Sequence, residues 1–149
     1  YDHYAAIHEY LDEYISAVFV APEAEHYLMY ESREHLLMSG GLSGKGVPQA
    51  KRFVREGDTI ELGETMLRVI ETPGHTEGGI CFATDHEVFS GDTLFRLSVG
   101  NTSFETGDWA TMVNSIQNKL YTLDDDTVVY PGHGPATTIG YEKRANPFV

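Results

Sequence analysis

At 149 residues, 41% of them hydrophobic and with no low-complexity stretch, the chain is long enough to bury the core of one domain, which excludes a disordered segment. Its formal net charge of −13, with only 10 basic residues against 23 acidic ones, excludes the clustered Lys and Arg of a nucleic-acid surface. A lone Cys81 excludes an intrachain disulfide and reads as a buried core thiol, and no stretch approaches membrane-spanning length, so a reducing cytoplasm is the expected compartment. No basic-then-apolar leader is present, and Tyr rather than Met stands first, as in an internal fragment or a processed product.

Taken in chain order, Tyr4, Ile7, His8, Leu11, Tyr14 and Ile15 recur at helical spacing, predicting an amphipathic helix over residues 2–15 with one buried stripe. Residues 18–20 predict a short strand, and Pro22 followed by Glu23 and Glu25 opens a second helix running toward Met38. The glycine-rich stretch from Ser39 to Pro48 matches no nucleotide-binding spacing and reads as a loop. The middle of the chain is β-rich, with strands predicted over residues 59–62, 65–71, 79–83 and 87–90 and a Gly63-Glu64 turn joining the first two. A helix with Trp109, Met112, Val113, Ile116 and Leu120 on one face follows Asp108 as its N-cap; a strand over 127–130 and a helix over 138–145 close the chain. Strands mixed with helices make this an α/β chain, and without an internal repeat or linker one domain, residues 1–149, is expected.

Four loops carry residues that ligate metals: Asp2-His3, Thr72-Pro73-Gly74-His75-Thr76, Ser90-Gly91-Asp92-Thr93 and Tyr130-Pro131-Gly132-His133-Gly134-Pro135. Neutral imidazoles and carboxylates suit zinc, iron or manganese, and three of these loops follow an apolar run with Gly or Pro beside the ligand. A Gly-flanked His or Asp taken singly often does no more than hydrogen-bond its own turn. Four such loops together point to a hydrolytic metal site. His8, His26, His35 and His86 lack a paired ligand and read as ordinary polar residues, and Asp124-Asp125-Asp126 reads as a solvated turn because it lacks the Gly and terminal Glu of a calcium loop.

In order, spacing and flanking glycines these motifs resemble the metallo-β-lactamase-fold hydrolases, and within them the small glyoxalase II-like branch. Thr138-Ile139-Gly140-Tyr141-Glu142 and Asn146-Pro147-Phe148 also match that branch, so the resemblance covers essentially the whole chain. It implies an αββα sandwich, N-terminally incomplete, because of the family's H-x-H-x-D-H motif only Asp2 and His3 are present. It also implies a centre for two divalent ions, zinc foremost with iron or manganese as alternatives. Asp2, His3 and His133 would bind the second metal, Asp92 would bridge both, and His75 would bind the first, whose two further histidines would lie upstream of Tyr1. Asp2 would in addition orient a metal-bound hydroxide for attack on an acyl carbon, and the implied partner is a small-molecule acyl substrate such as a thioester.

Thr76 and Thr93, beside two of the ligands, are candidates for orienting them, with turn capping the alternative. Gly100-Asn101-Thr102-Ser103-Phe104 departs from the relatives, which commonly carry Arg and Asp where Asn101 and Ser103 stand. Glutathione recognition is not expected, since the basic C-terminal segment of the larger glyoxalase II enzymes has no counterpart before Val149. Two other readings are a single-iron oxidoreductase resembling persulfide dioxygenases and an inactive fragment with an incomplete metal site, whose strand edges would invite a homo-oligomer.

Overall fold

The computed structural model describes residue 3, residues 6–32 and residues 47–149. They fall into two compact units, Tyr1–Val54 and Arg55–Val149. Among the described residues no helix is long and apolar enough to cross a membrane.

The first unit contains helix α1 (Ile7–Glu13), strand β1 (Val20–Pro22), a 3-10 turn (Glu23–Glu25), helix α2 (His26–Tyr30) and strand β2 (Arg52–Val54), which pairs in parallel with β1. The expected α1 helix is present but shorter, and its stripe is not buried: none of its residues is, while Tyr14 and Ile15, 57% and 90% exposed, lie beyond its end. Helical spacing reports which side chains share a face, not whether anything covers it. Pro22 both closes β1 and caps the helical segment expected after it: its ψ of 138° is extended, the 3-10 turn starts at Glu23, and α2 continues from His26. The Tyr30 hydroxyl donates to Pro48 O at 3.0 Å and accepts from Ala50 N at 2.9 Å, fixing the approach to β2. The expected extension of α2 toward Met38, His35 and the glycine-rich stretch over 39–46 lie outside the described residues.

The second unit is a six-stranded sheet in the order β10-β9-β6-β5-β4-β3, made of β3 (Thr59–Leu62), β4 (Thr65–Glu71), β5 (Ile80–Ala83), β6 (Glu87–Gly91), β9 (Val128–Pro131) and β10 (Thr137–Thr138). Between β6 and β9 the chain forms a small hairpin of β7 (Leu94–Phe95) and β8 (Ser98–Val99), then helix α3 (Trp109–Asn118); helix α4 (Ile139–Ala145) follows β10. Pairing puts Ile70 opposite Cys81, Ala83 opposite Val88 and Val88 opposite Val129, so one face of the sheet is a continuous apolar ladder. Met112, Ile116, Leu120 and Ile139, each 0% exposed, complete the core with it. The other face carries Phe89 and Tyr130, paired and stacked at 5.4 Å.

Helix α3 begins as its sequence predicts: Asp108 is extended, and its Oδ1 accepts from Thr111 N at 2.7 Å. The Thr111 side chain, and after it that backbone bond, hold the Asp108 carboxyl below the usual carboxylate range. Trp109, expected on the buried face, is 46% exposed. It is the first helical residue, and there α3 runs alongside the loop after β4, where Asp108 N donates to Gly74 O at 2.9 Å, and not over the sheet. Thr138 caps α4 in the same way, accepting from Tyr141 N.

Strand direction decides where the candidate ligands go. Strands β4 and β6 are each antiparallel to β5, and β9 is parallel to β6, so β4, β6 and β9 all end at the same edge of the sheet. His75, Asp92 and His133 follow those three ends.

Candidate metal centre

At that edge His75 Nε2 and His133 Nε2 each lie 3.6 Å from the same oxygen, Asp92 Oδ2. The side chains of His75 and Asp92 are largely buried, at 23% and 14% exposure, while His133 faces solvent at 56%. The three residues singled out in this unit therefore come together. His3 is an exposed residue of the first unit, and Asp2 lies outside the described residues.

Each ligand loop is fastened through its neighbouring residues. The Pro73-Gly74 turn lies on α3: Ser115 Oγ donates to Pro73 O at 2.7 Å, and a Cβ on Gly74, whose φ is 145°, would overlap the Met112 backbone. His75 Nδ1 meets the Asn101 carbonyl at 2.7 Å; since a carbonyl only accepts, Nδ1 carries the proton and Nε2 keeps its lone pair. The Phe104 ring closes edge-on over the same imidazole at 5.0 Å. Asp92 follows Gly91, at φ 50°, where the pairing of β6 with β9 shifts register. Gly132 N donates to Gly91 O at 2.8 Å, tying the His133 loop to the Asp92 loop.

Beneath the ligands runs a small buried polar network. Thr72 Oγ1 lies 2.9 Å from Thr93 Oγ1 and 3.2 Å from Cys81 Sγ, and Ser90 Oγ donates to Leu94 O at 2.8 Å. Thr93, a candidate for orienting Asp92, joins its hydroxyl to that of Thr72 in this network. Burial pushes the Cys81 thiol up to about 11, so it is a neutral core thiol, as its apolar context predicts.

The donor set fits a divalent cation. Spacings of 3.6 Å are too long for hydrogen bonds, but two donors each about 2.0–2.1 Å from a tetrahedral zinc lie roughly 3.3 Å apart. Sequence reasoning missed the Asn101 carbonyl, because a backbone acceptor carries no residue signature. It also missed Gly100, where a Cβ would overlap Asp92 O and come within 3.3 Å of His75 Nδ1; Gly100 stands beside a noted departure from the family pattern, which was the available signal.

A sheet backed by helices, with imidazoles and a shared carboxylate on the loops at one edge, defines an α/β protein with a set of donors that fits a metal ion. The chain belongs to the metallo-beta-lactamase superfamily, whose sequence model matches residues 1–133. It is 44% identical over 100 residues to hydroxyacylglutathione hydrolase GloC of Haemophilus influenzae, a match covering 65% of this chain and 47% of that protein. The crystal structure of the BLEG-1 B3 metallo-beta-lactamase superposes with a TM-score of 0.84 at 32% identity, covering 99% of this chain and 71% of its own. That of TTHA1623 in a di-iron-bound form gives a TM-score of 0.79 at 31% identity, covering 99% and 72%. The matched segment spans about half the length of the first of its curated relatives.

Proposed function

We propose that the chain is the ligand-bearing part of a metal-dependent hydrolase of thioesters or related acyl compounds. The observation that carries this reading is the convergence of His75 and His133 on one oxygen of Asp92. His75 would hold one ion and His133 the other, with Asp92 between them; Asp2 and His3 are proposed, on the family resemblance, to complete the second ion's set. A divalent cation supplies Lewis acidity there and lowers the pKa of water toward roughly 7, which acyl hydrolysis at neutral pH requires. The chain's own contribution is orientation: the Asn101 carbonyl selects the His75 tautomer, and the Asp92 carboxylate would offset the repulsion of two bound cations. Hydroxyacyl thioesters are the favoured substrates, because GloC carries the name of such a hydrolase. Zinc is the proposed metal and a reducing cytoplasm the proposed compartment, the latter on the lone buried Cys81.

Metal content and thiol release test the reading together. Two zinc or manganese ions per molecule of the whole protein, with thioester hydrolysis lost in Asp92→Asn, support it. A single iron with oxygen consumption on a persulfide would replace it with the dioxygenase reading.

A further inference from the structure

The hairpin β7–β8 stands beside His133, with the Phe95 ring edge-on to the imidazole at 6.2 Å. It also carries a cation that the metal ligands do not explain. Its turn contains Leu97 at φ 58°, a left-handed conformation that costs a branched side chain about 1 kcal/mol or more. Glu142, fully buried in α4, holds that turn: it accepts from Leu97 N at 2.9 Å, from Asn146 Nδ2 at 2.9 Å and from Thr137 Oγ1 at 2.5 Å. Asn146 Nδ2 also donates to Ser98 O at 3.0 Å. So held, the hairpin places the Arg96 guanidinium over the Tyr141 ring, 5.5 Å from its centroid. Arg96 and Tyr141, with Ala136, Thr137 and Thr138, line an open cavity of about 310 Å³ that begins three residues past His133.

Among the described residues no carboxylate lies within ion-pair distance of Arg96, a property it shares with Lys51, Arg55 and Arg68, while Lys119, Lys143 and Arg144 meet acidic groups; what sets Arg96 apart is its place over the Tyr141 ring. In a chain of net charge −13, an arginine shelved on an aromatic ring and lining an open cavity, on a hairpin whose Phe95 packs against His133, is placed to receive an anion from outside. We propose that this cavity is a substrate subsite for a carboxylate, with Arg96 as the recognising cation and Glu142 as the residue that positions its hairpin. The proposal rests on the hydrolase reading, and it names the substrate class as acyl thioesters bearing a carboxylate.

Binding of three thioesters to the metal-free chain, measured by calorimetry, tests it without turnover. The probes are S-acetyl-N-acetylcysteamine, which is neutral; S-succinyl-N-acetylcysteamine, with a carboxylate on the acyl side; and S-acetyl-N-acetylcysteine, with one on the thiol side. One of the charged probes should bind about fivefold more tightly than the neutral one, the gain expected of a partly exposed ion pair, and which one does so locates the anion. Arg96→Gln should erase the preference and Arg96→Lys restore part of it. Arg68→Gln, in a separate cavity of about 460 Å³ at the opposite edge of the sheet, should keep it. Circular dichroism verifies that each variant is folded. Equal affinity for charged and neutral probes in the unsubstituted chain, no binding of any probe, or an unchanged preference in Arg96→Gln would overturn the subsite. Absence of hydrolysis of the neutral thioester by the metal-loaded whole protein would sink the hydrolase reading instead, and leaves the binding preference standing as a separate result.

Discussion

His75 is oriented by a neighbour's backbone, and that makes the surrounding positions unequal. At Asn101 the carbonyl accepts from Nδ1, while the side chain is occupied elsewhere, its Oδ1 accepting from Ser103 N at 3.0 Å. Replacing the family's usual arginine here therefore leaves the imidazole's partner in place. Asn101→Ala should change zinc affinity, measured by chelator competition, by less than about threefold, whereas Gly100→Ala should lower it by about tenfold or more, since its Cβ displaces Asp92 and crowds His75. Cys81 gives a second prediction at this scale. Its thiol is raised from 9.0 to about 11, so above pH 9 the unfolded chain releases a proton that the folded chain retains. The contribution is fully present below pH 9 and is lost as pH rises toward 11, on the order of 2 kcal/mol. The stability difference between the unsubstituted chain and Cys81→Ala, from urea unfolding, should shrink between pH 8 and pH 10.5; a constant difference would refute it.

At the scale of elements, the loop after β4 and helix α3 act as one piece. Asp108 N on Gly74 O, Ser115 Oγ on Pro73 O and the absent Cβ of Gly74 against Met112 mean that the loop sits where the helix puts it. Gly74→Ala should destabilise the chain by about 2–3 kcal/mol in urea unfolding, through the clash and the φ of 145° together, and should loosen zinc binding as well. An unfolding midpoint unchanged from that of the unsubstituted chain would show that the helix is not the loop's support. These contacts also explain what could be read in advance. Strands β3 to β6 and helix α3 carry whole periods of pattern, and Cys81, Met112 and Ile116 are buried as expected. The two-residue strands β7, β8 and β10 carry no period at all, so the hairpin that holds Arg96 was illegible, and so was the buried Glu142 beneath it, whose role depends on a turn 45 residues away.

At the scale of the molecule, the ligand identities were legible because Gly and Pro punctuate the loops, but their convergence depends on topology: two antiparallel steps bring β6 parallel to β4, and a parallel pairing adds β9. No local pattern encodes that arithmetic. A metal bound by these loops ties together segments 58 residues apart in sequence, from His75 to His133, and stabilises the folded state by its binding free energy. At a free zinc concentration one hundred times the dissociation constant the gain is about 2.7 kcal/mol, or roughly 6–10 °C for a chain of this size. Hydrogen exchange should register it as added protection in the loops at residues 72–76, 91–101 and 131–134. The proposed ligands Asp2 and His3 make a sharper claim, because the family resemblance assigns them to one ion only. If they complete the second ion's set, His3→Ala should cut the zinc-induced rise in Tm by about half while Asp92→Asn abolishes it, since Asp92 would serve both ions and His3 one. A His3→Ala chain that gains as much from zinc as the unsubstituted one would remove that residue from the ligand set and leave His75, Asp92 and His133 as the protein donors that the structure supports.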